Sequence, residues 1–391
     1  MFKKVLKYVF FFGVIIIIFG ALGDKENKKN NSVQNVVKET AVDTKMDSTT
    51  RSFYMGLGSW PPDATVEAVN AMYDVIDAHT DMVFHHFDNG IPWQEALDGR
   101  AFPKHLEGDW NWKKVKTKAD KKIYLGITPL NFDRDGMVGY WGEKDNNEPL
   151  PDNWKNLRFN DPKVKTAYVN YVRRAVEYFN PTYLSIGSEV NILAAKDRGA
   201  WGDYLELNQY VYTELKKQYP TLPIFVSLQY EWLRGAEKET QNKKAEQVTD
   251  AKDVLKSSDI IALTVYKYGT IHNPIVGDYF ALAKSLAQKP IGLAEIGAMS
   301  KEAKFNGITF TANEEDQDTF IRFMVSEASK GKFVFVNNYF PIDFDKLLKR
   351  LPKELQGVSV TWAHMGLYDM DLKPKKALRT WDMYLQLPVA Q

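Results

Sequence analysis

The chain has 391 residues, of which 44% are hydrophobic, 13% aromatic and 26% charged, a balance that buries a core and excludes disorder of the whole chain. Its 51 Lys and Arg against 50 Asp and Glu leave a net charge of +1, too even to draw it to a polyphosphate, so nucleic acid is not an expected partner. With no Cys there are no disulfides, thiolate zinc sites, iron–sulfur clusters, Cys nucleophile or lipid-carrying Cys.

Lys3, Lys4 and Lys7 precede a nearly unbroken apolar run from Tyr8 to Leu22, and Ala21-Leu22-Gly23 offers small residues for cleavage. As a helix that run falls short of a hydrocarbon core of roughly 30 Å. Residues 1–23 therefore read as an export signal or a retained N-terminal anchor, which places the protein in the periplasm or outside the cell. Contact with a membrane is expected only through this segment if it is not cleaved. Residues 24–50 are rich in Lys, Asn, Asp and Thr without an aromatic, and read as a flexible linker. Residues 51–391 form one folded domain.

Within that domain short apolar runs alternate with amphipathic segments. The runs are Phe53–Gly58, Met82–Phe87, Ile123–Thr128, Tyr183–Gly187, Ile224–Gln229, Ile260–Val265, Ile291–Glu295 and Phe333–Asn337. None shows the strict alternation of a half-solvated strand, which is how a strand covered on both faces reads. Helices are predicted over Thr65–Ala78, from Asp161-Pro162 to Phe179, and over Asp203–Gln218, Lys244–Lys256, Gly277–Gln288, Glu314–Lys330 and Lys375–Leu387. Strand then helix, eight times, predicts an α/β fold, a single (β/α)8 TIM barrel. A doubly wound sheet would want a Gly-rich phosphate loop after its first strand, and Gly56-Leu57-Gly58 runs instead into Ser59-Trp60-Pro61-Pro62.

Chemistry in such a barrel sits where the strands end. Trp60, Trp93, Trp110, Trp112, Trp141, Trp154, Trp201, Trp232 and Trp362 all fall in predicted strand-to-helix loops, where indole faces stack on sugar rings or pin the loops. Trp60, Trp93 and Trp362 are candidates for the former. Strand four runs into Ile186-Gly187-Ser188-Glu189-Val190-Asn191, and strand seven into Ala294-Glu295-Ile296-Gly297. A Glu ending an apolar strand is costly to bury unless paired, and two of them across one barrel mouth suit glycoside hydrolysis, in which one carboxyl protonates the leaving oxygen and the other attacks. Mutual repulsion would raise one pKa and leave the other ionised.

The eight-strand order and these two motifs resemble the large clan of retaining glycosidases, which carries its acid/base Glu at strand four and its nucleophile Glu at strand seven. Its endo-β-1,4-galactanase and endo-β-mannanase families are the most similar. The resemblance covers roughly residues 53–387 and includes Gly366-Leu367-Tyr368-Asp369 with Lys373-Pro374-Lys375. It implies Glu295 as nucleophile, Glu189 as acid/base, a double displacement with carboxyls roughly 5–5.5 Å apart, Tyr266 bonded to the nucleophile, and Ser188 or Asn191 on the sugar 2-hydroxyl. Two departures stand out. The clan's Asn before the acid/base is here Ser188, and its Arg near the end of strand two is replaced by His85-His86-Phe87-Asp88-Asn89.

Around this pair, His85 and His86 must point to opposite faces of their strand, so His86 joins Asp88 and Asn89 as candidate sugar ligands. Gln229, Tyr230 and Glu231 end strand five, with Glu231 as the rival acid, and Asn337, Asn338 and Tyr339 end strand eight and suit a sugar subsite. Asp133-Arg134-Asp135 reads as a solvated loop rather than a cation site, and neither a metal nor a cofactor is expected. Long loops at 88–121 and 129–160 would wall a groove, which points to endo-acting cleavage of a polysaccharide or oligosaccharide by a monomer. A carbohydrate-binding barrel with impaired catalysis is the alternative; a metal-dependent amidase or deacetylase lacks a ligand-spaced His cluster.

Overall fold

The computed structural model describes residues 49–268, 278–351, 356–357 and 359–390; the signal or anchor at 1–23 and the linker up to residue 48 lie outside them. The eight barrel strands are β1 (Tyr54–Gly58), β2 (Met82–Phe87), β3 (Lys122–Ile127), β4 (Tyr183–Ser185), β5 in two pieces (Ile224–Phe225 and Ser227–Gln229), β6 (Ile261–Lys267), β7 (Ile291–Ala298) and β8 (Phe335–Asn338). Each pairs in parallel with the next and β8 returns to β1, with Tyr54 opposite Phe335 and Leu57 opposite Asn338. Closure runs through β5, whose first piece pairs with β4 and whose second pairs with β6. The chain is thus an α/β protein built on one (β/α)8 barrel.

Side chains on the strands sort by the period of two. Phe53, Met55 and Leu57 face the helices, so Tyr54, Gly56 and Gly58 face the barrel axis. The axis is filled at its lower end by Tyr124, Phe225 and Phe335, whose ring centroids lie 5.2–5.6 Å apart. These rings need small neighbours: a Cβ on Gly292 would collide with the ring of Phe335, and one on Gly126 would lie 2.9 Å from the ring of Phe84. Bulk is thus confined to the floor, and the polar upper end is left for the site.

The helix from Pro162 to Phe179 begins where sequence chemistry puts it, with Asp161 accepting from the Lys163 amide and Pro162 in the first turn. Asn313 and Asp316 form a reciprocal capping box before Glu314–Lys330. Arg51 closes the domain: buried, it holds both oxygens of Asp81 at 2.6 and 2.7 Å and the Leu387 carbonyl at 2.9 Å, tying the first strand to the last helix.

The stretch after β2 differs from its expectation as a loop. It contains the helices Trp93–Asp98 and Lys104–Lys116, and Trp93, Trp110 and Trp112 sit on them, as Trp201 and Trp232 sit on Arg198–Gln218 and Tyr230–Leu233. Trp93 is fully buried, stacked on Trp154 at 5.6 Å. Trp110, Trp141 and Trp154 are also buried. An indole offers too much apolar area to leave in water when a helix can turn it inward. A small hairpin, Ala303–Phe305 with Ile308–Phe310, follows β7 and had no expectation attached to it.

Candidate active site

Glu189 lies just past the end of β4 in a backbone conformation uncommon for its type, with φ of 52°. The turn is held by β5: the Glu189 amide donates to Ser227 Oγ at 3.0 Å and the Val190 amide to the Ser227 carbonyl at 3.1 Å. A left-handed non-glycine costs on the order of 1–3 kcal/mol and persists only where its surroundings dictate it. The result is a carboxyl aimed inward and wholly buried. Its Oε1 accepts from the Thr264 hydroxyl at 2.8 Å, and its Oε2 has no hydrogen-bond partner among the described residues. The nearest cation is Arg134, whose Nη2 lies 3.8 Å from Oε2. Burial pushes the Glu189 pKa up, Arg134 and the Thr264 bond pull it down and Glu295 pushes it up, for a net rise from 4.5 to about 7.

Glu295 stands on β7 at a slip in register. Leu263 pairs with Leu293 but Thr264 pairs with Glu295, so Ala294 is the extra residue and Glu295 is turned to the axis. Thr264 therefore joins the two acids: its hydroxyl bonds Glu189 and its backbone lies beside Glu295. Glu295 is partnered quite differently. Tyr266 donates to its Oε2 at 2.6 Å, and burial holds that phenol well above its ordinary pKa, so it remains a donor. His86 Nδ1 is 3.4 Å from Glu295 Oε1, while His86 Nε2 is 3.6 Å from Asp88 Oδ2. Burial pulls the His86 pKa down, but Asp88 and Glu295 outweigh it and the net direction is up.

Over this pair opens a narrow pocket, lined on one side by Glu295, His86, Asp88, Arg134 and Tyr266. Aromatic rings make its other wall. Trp60 packs on Tyr339, Phe340 and Phe344 at 5.6–6.0 Å, and Trp362 donates from Nε1 to the Tyr268 hydroxyl at 2.9 Å. One apolar wall facing a cluster of charged groups suits a ligand with an apolar face and polar edges.

Of the residues singled out in the sequence, Trp60, His86, Asp88, Tyr266, Glu295, Tyr339 and Trp362 line this pocket, and Glu189 lies beneath it with Ser188, whose amide donates to Thr128 Oγ1 at 3.2 Å. The others are placed elsewhere. Trp93 is core. Asn89 lies outside the pocket wall, its carbonyl taken by the Asn147 amide. Asn191 is saturated by the Gln229 carbonyl, the Gln229 amide and Gln247, and so clasps two loops rather than a sugar. Gln229 caps the next helix by accepting from the Trp232 amide, and the Tyr230 hydroxyl donates to the Tyr279 carbonyl. Glu231 is buried against Tyr279 and Arg234, away from the pocket wall. Asn338 donates to the Phe340 carbonyl, and Asn337 faces Gly56 inside the barrel. His85 points to the helices, between Ser59 and Thr117.

Arg134 is the residue that the sequence did not yield. Its segment is a loop with Asp135 exposed, but Arg134 itself is only 3% exposed, in a turn organised by Asn131, whose Oδ1 accepts from the Asp135 amide at 3.1 Å, and the Asp133 carbonyl accepts from Lys196 Nζ at 2.6 Å. The bounds of that turn, Asn131 and Gly136, were the signal available. Farther out, Asp343, Asp345 and His364 lie within reach of one another, but Asp343 already has a cation in the buried Lys375, 2.7 Å away.

No protein-family model and no curated protein matches the chain. Solved structures do. The exo-beta-1,4-mannosidase Op5Man5 from Opitutaceae bacterium strain TAV5 superposes on 88% of the chain with a TM-score of 0.61 at 12% identity; the chain spans 62% of that protein's length. GH5_18 from Streptomyces cattleya, in complex with GlcNAc, gives a TM-score of 0.56 at 15% identity over 86% of this chain and 80% of that one. The Ignisphaera aggregans GH53 catalytic domain gives 0.53 at 16% identity over 81% and 88%. The likeness is one of fold: the chain has the (β/α)8 barrel of these glycoside hydrolases.

Proposed function

We propose that this protein is an exported retaining glycosidase in which Glu295 attacks the anomeric carbon while Glu189 protonates the departing oxygen. Water, deprotonated by Glu189, then releases the sugar from Glu295 with its configuration retained. The observation that carries this is the contrast between two carboxyls, one just past β4 and one on β7. Glu189 is pushed up to about 7 and so carries its proton in about half of the molecules at neutrality, whereas Glu295 has a phenol donor on one oxygen and an imidazole beside the other. Arg134 would offset the charge on Glu189 once its proton has left, but it also covers Oε2, so its side chain must swing aside as substrate enters.

The substrate is a glycan, and the pocket favours the end of a chain or a short oligosaccharide. The endo mode expected from the sequence rested on the long loops at 88–121 and 129–160 walling a groove; Trp93, Trp110, Trp141 and Trp154 on those loops are buried and so do not line one. A second reading, a barrel that binds carbohydrate without turnover, draws on the complete burial of Glu189.

Both are tested by incubating the protein with β-linked oligo- and polysaccharides and following the released anomer by proton NMR beside Glu189→Gln and Glu295→Gln. Release of the retained anomer, lost in both variants, is expected. Release of the inverted anomer, or activity surviving in both, would overturn the mechanism, and binding without release would establish the second reading.

A further inference from the structure

The imidazole of His86 lies between two carboxylates, with Asp88 at 3.6 Å from Nε2 and Glu295 at 3.4 Å from Nδ1. Both ring nitrogens are buried, and neither has a hydrogen-bond partner among the described residues. A neutral imidazole has one N–H and one lone pair, so in this position it would turn its lone pair toward an anion in a site sheltered from water. Only the imidazolium offers a proton to each side. The other groups around the ring are Tyr266 and Tyr339, both held as neutral phenols, and Arg134 on the pocket wall with Glu189 buried behind it. Phe84 and Tyr339 supply ring faces at 5.4 and 5.8 Å. With Glu189 protonated, the charges of Asp88 and Glu295 cancel those of Arg134 and His86, but only if His86 is charged.

We propose that His86 is a positioning residue that stands as an imidazolium between Asp88 and Glu295 and orients the Glu295 carboxylate for attack, while Asp88 keeps the second proton in place. The role toward attack rests on Glu295 being the nucleophile; the doubly protonated ring does not. Deprotonation of His86 would remove the donor facing Glu295 Oε1 and leave the buried cluster with one uncompensated negative charge. His86 thereby couples the order of the nucleophile to pH.

The test is NMR titration of the histidine ring protons and nitrogens in the whole protein, which has 6 His, with His86→Gln to assign the resonance. The expected result is a His86 ring with both nitrogens protonated at pH 7 and a midpoint above the ordinary 6.5. Asp88→Asn and Glu295→Gln should each lower that midpoint by about one pH unit. A neutral single tautomer at pH 7, or a midpoint unmoved by both substitutions, overturns the proposal. Should His86→Gln fail to fold, through-bond correlation of the ring to the His86 backbone in isotope-labelled native protein assigns the resonance. For the positioning role, turnover of whichever glycan the protein cleaves should fall about 10²-fold in His86→Gln with little change in KM. Unchanged turnover would remove that role. If the ring titrates as stated but no glycan is cleaved, the glycosidase reading fails and the charged clamp stands.

Discussion

β4 and β7 bring the same residue type to comparable depth, yet they treat it in opposite ways. At β4 the chain turns left-handed, withdraws Glu189 entirely from solvent and gives it one hydroxyl donor and one guanidinium at 3.8 Å. At β7 the strand continues, and Glu295 faces the pocket with Tyr266 bonded to one oxygen and His86 beside the other. Desolvation outweighs partners at the first site and raises its proton affinity. Two carboxyls can thus divide acid and nucleophile between them by environment alone, and Thr264 sets how near these environments lie.

The largest effect should come from exchanging either acid for its amide. Glu295→Gln removes the attacking oxygen and should cost more than about 10⁴ in rate, whereas Glu189→Gln removes general acid catalysis, worth about 10²–10⁴. The two sites should also differ in kind. In kcat/KM, which reports formation of the glycosyl-enzyme, Glu189→Gln should be spared with an aryl glycoside whose leaving group needs no proton, and Glu295→Gln should not; kcat of Glu189→Gln should stay low, because water still lacks its base. Steady-state rates on both substrate types check this, and equal losses on both would erase the division of roles. Next in size is Tyr266→Phe, which deletes the 2.6 Å bond to Glu295 and should cost about 10–10² in kcat, read from initial rates. A loss in Tyr266→Phe matching that of Glu295→Gln would mean that the phenol does more than hold the carboxylate.

What the sequence carried and what it withheld separate along the same line. The strands were legible because burial on both faces leaves continuous apolar runs, and both acids because a carboxylate at the end of such a run has no ordinary reason to be there. Expected and observed strand ends differ by at most three residues, and those of β2 and β5 coincide. The helix Lys104–Lys116 was not legible, since its Lys-rich surface leaves little besides Leu106 and Trp110 to mark an inner face. Arg134 was hidden for a different reason. An Arg between two Asp looks solvated, and only the fold of the Asn131–Gly136 turn brings it over Glu189. Asn191 and Asn337 show the converse: polar residues at strand ends satisfy the backbone or fill the barrel as readily as they meet a ligand.

The withdrawal of Glu189 should also be visible in stability. Its folded pKa, near 7, exceeds the unfolded value of about 4.5, so the folded state retains a proton that the unfolded chain has lost between those pH values. Stability attributable to this group is intact below about 4.5 and declines as pH rises to 7. Glu189→Gln, which keeps the shape and cannot ionise, should therefore be more stable than the native protein at pH 8 by about 1–3 kcal/mol and nearly equal to it at pH 4.5. Thermal melts at the two pH values measure this. A variant less stable at pH 8 would mean that the charged Glu189 is welcome where it lies, which would reverse the contrast with Glu295.

The smallest effect sharpens the contrast most, because it isolates one partner. Arg134 pulls the Glu189 pKa down against burial. Replacing it by Gln should therefore raise that pKa and carry the alkaline limb of kcat/KM to higher pH by about one unit. The same change uncovers Glu189 Oε2, so KM and the pH profile should move independently. A limb that moves upward with kcat lowered at its optimum would show that Arg134 both tunes the acid and stabilises its conjugate base after proton transfer. An unmoved limb would assign the alkaline decline to another group, and the pH profile of Glu189→Gln, which should then retain that limb, would show that Glu189 is not its source.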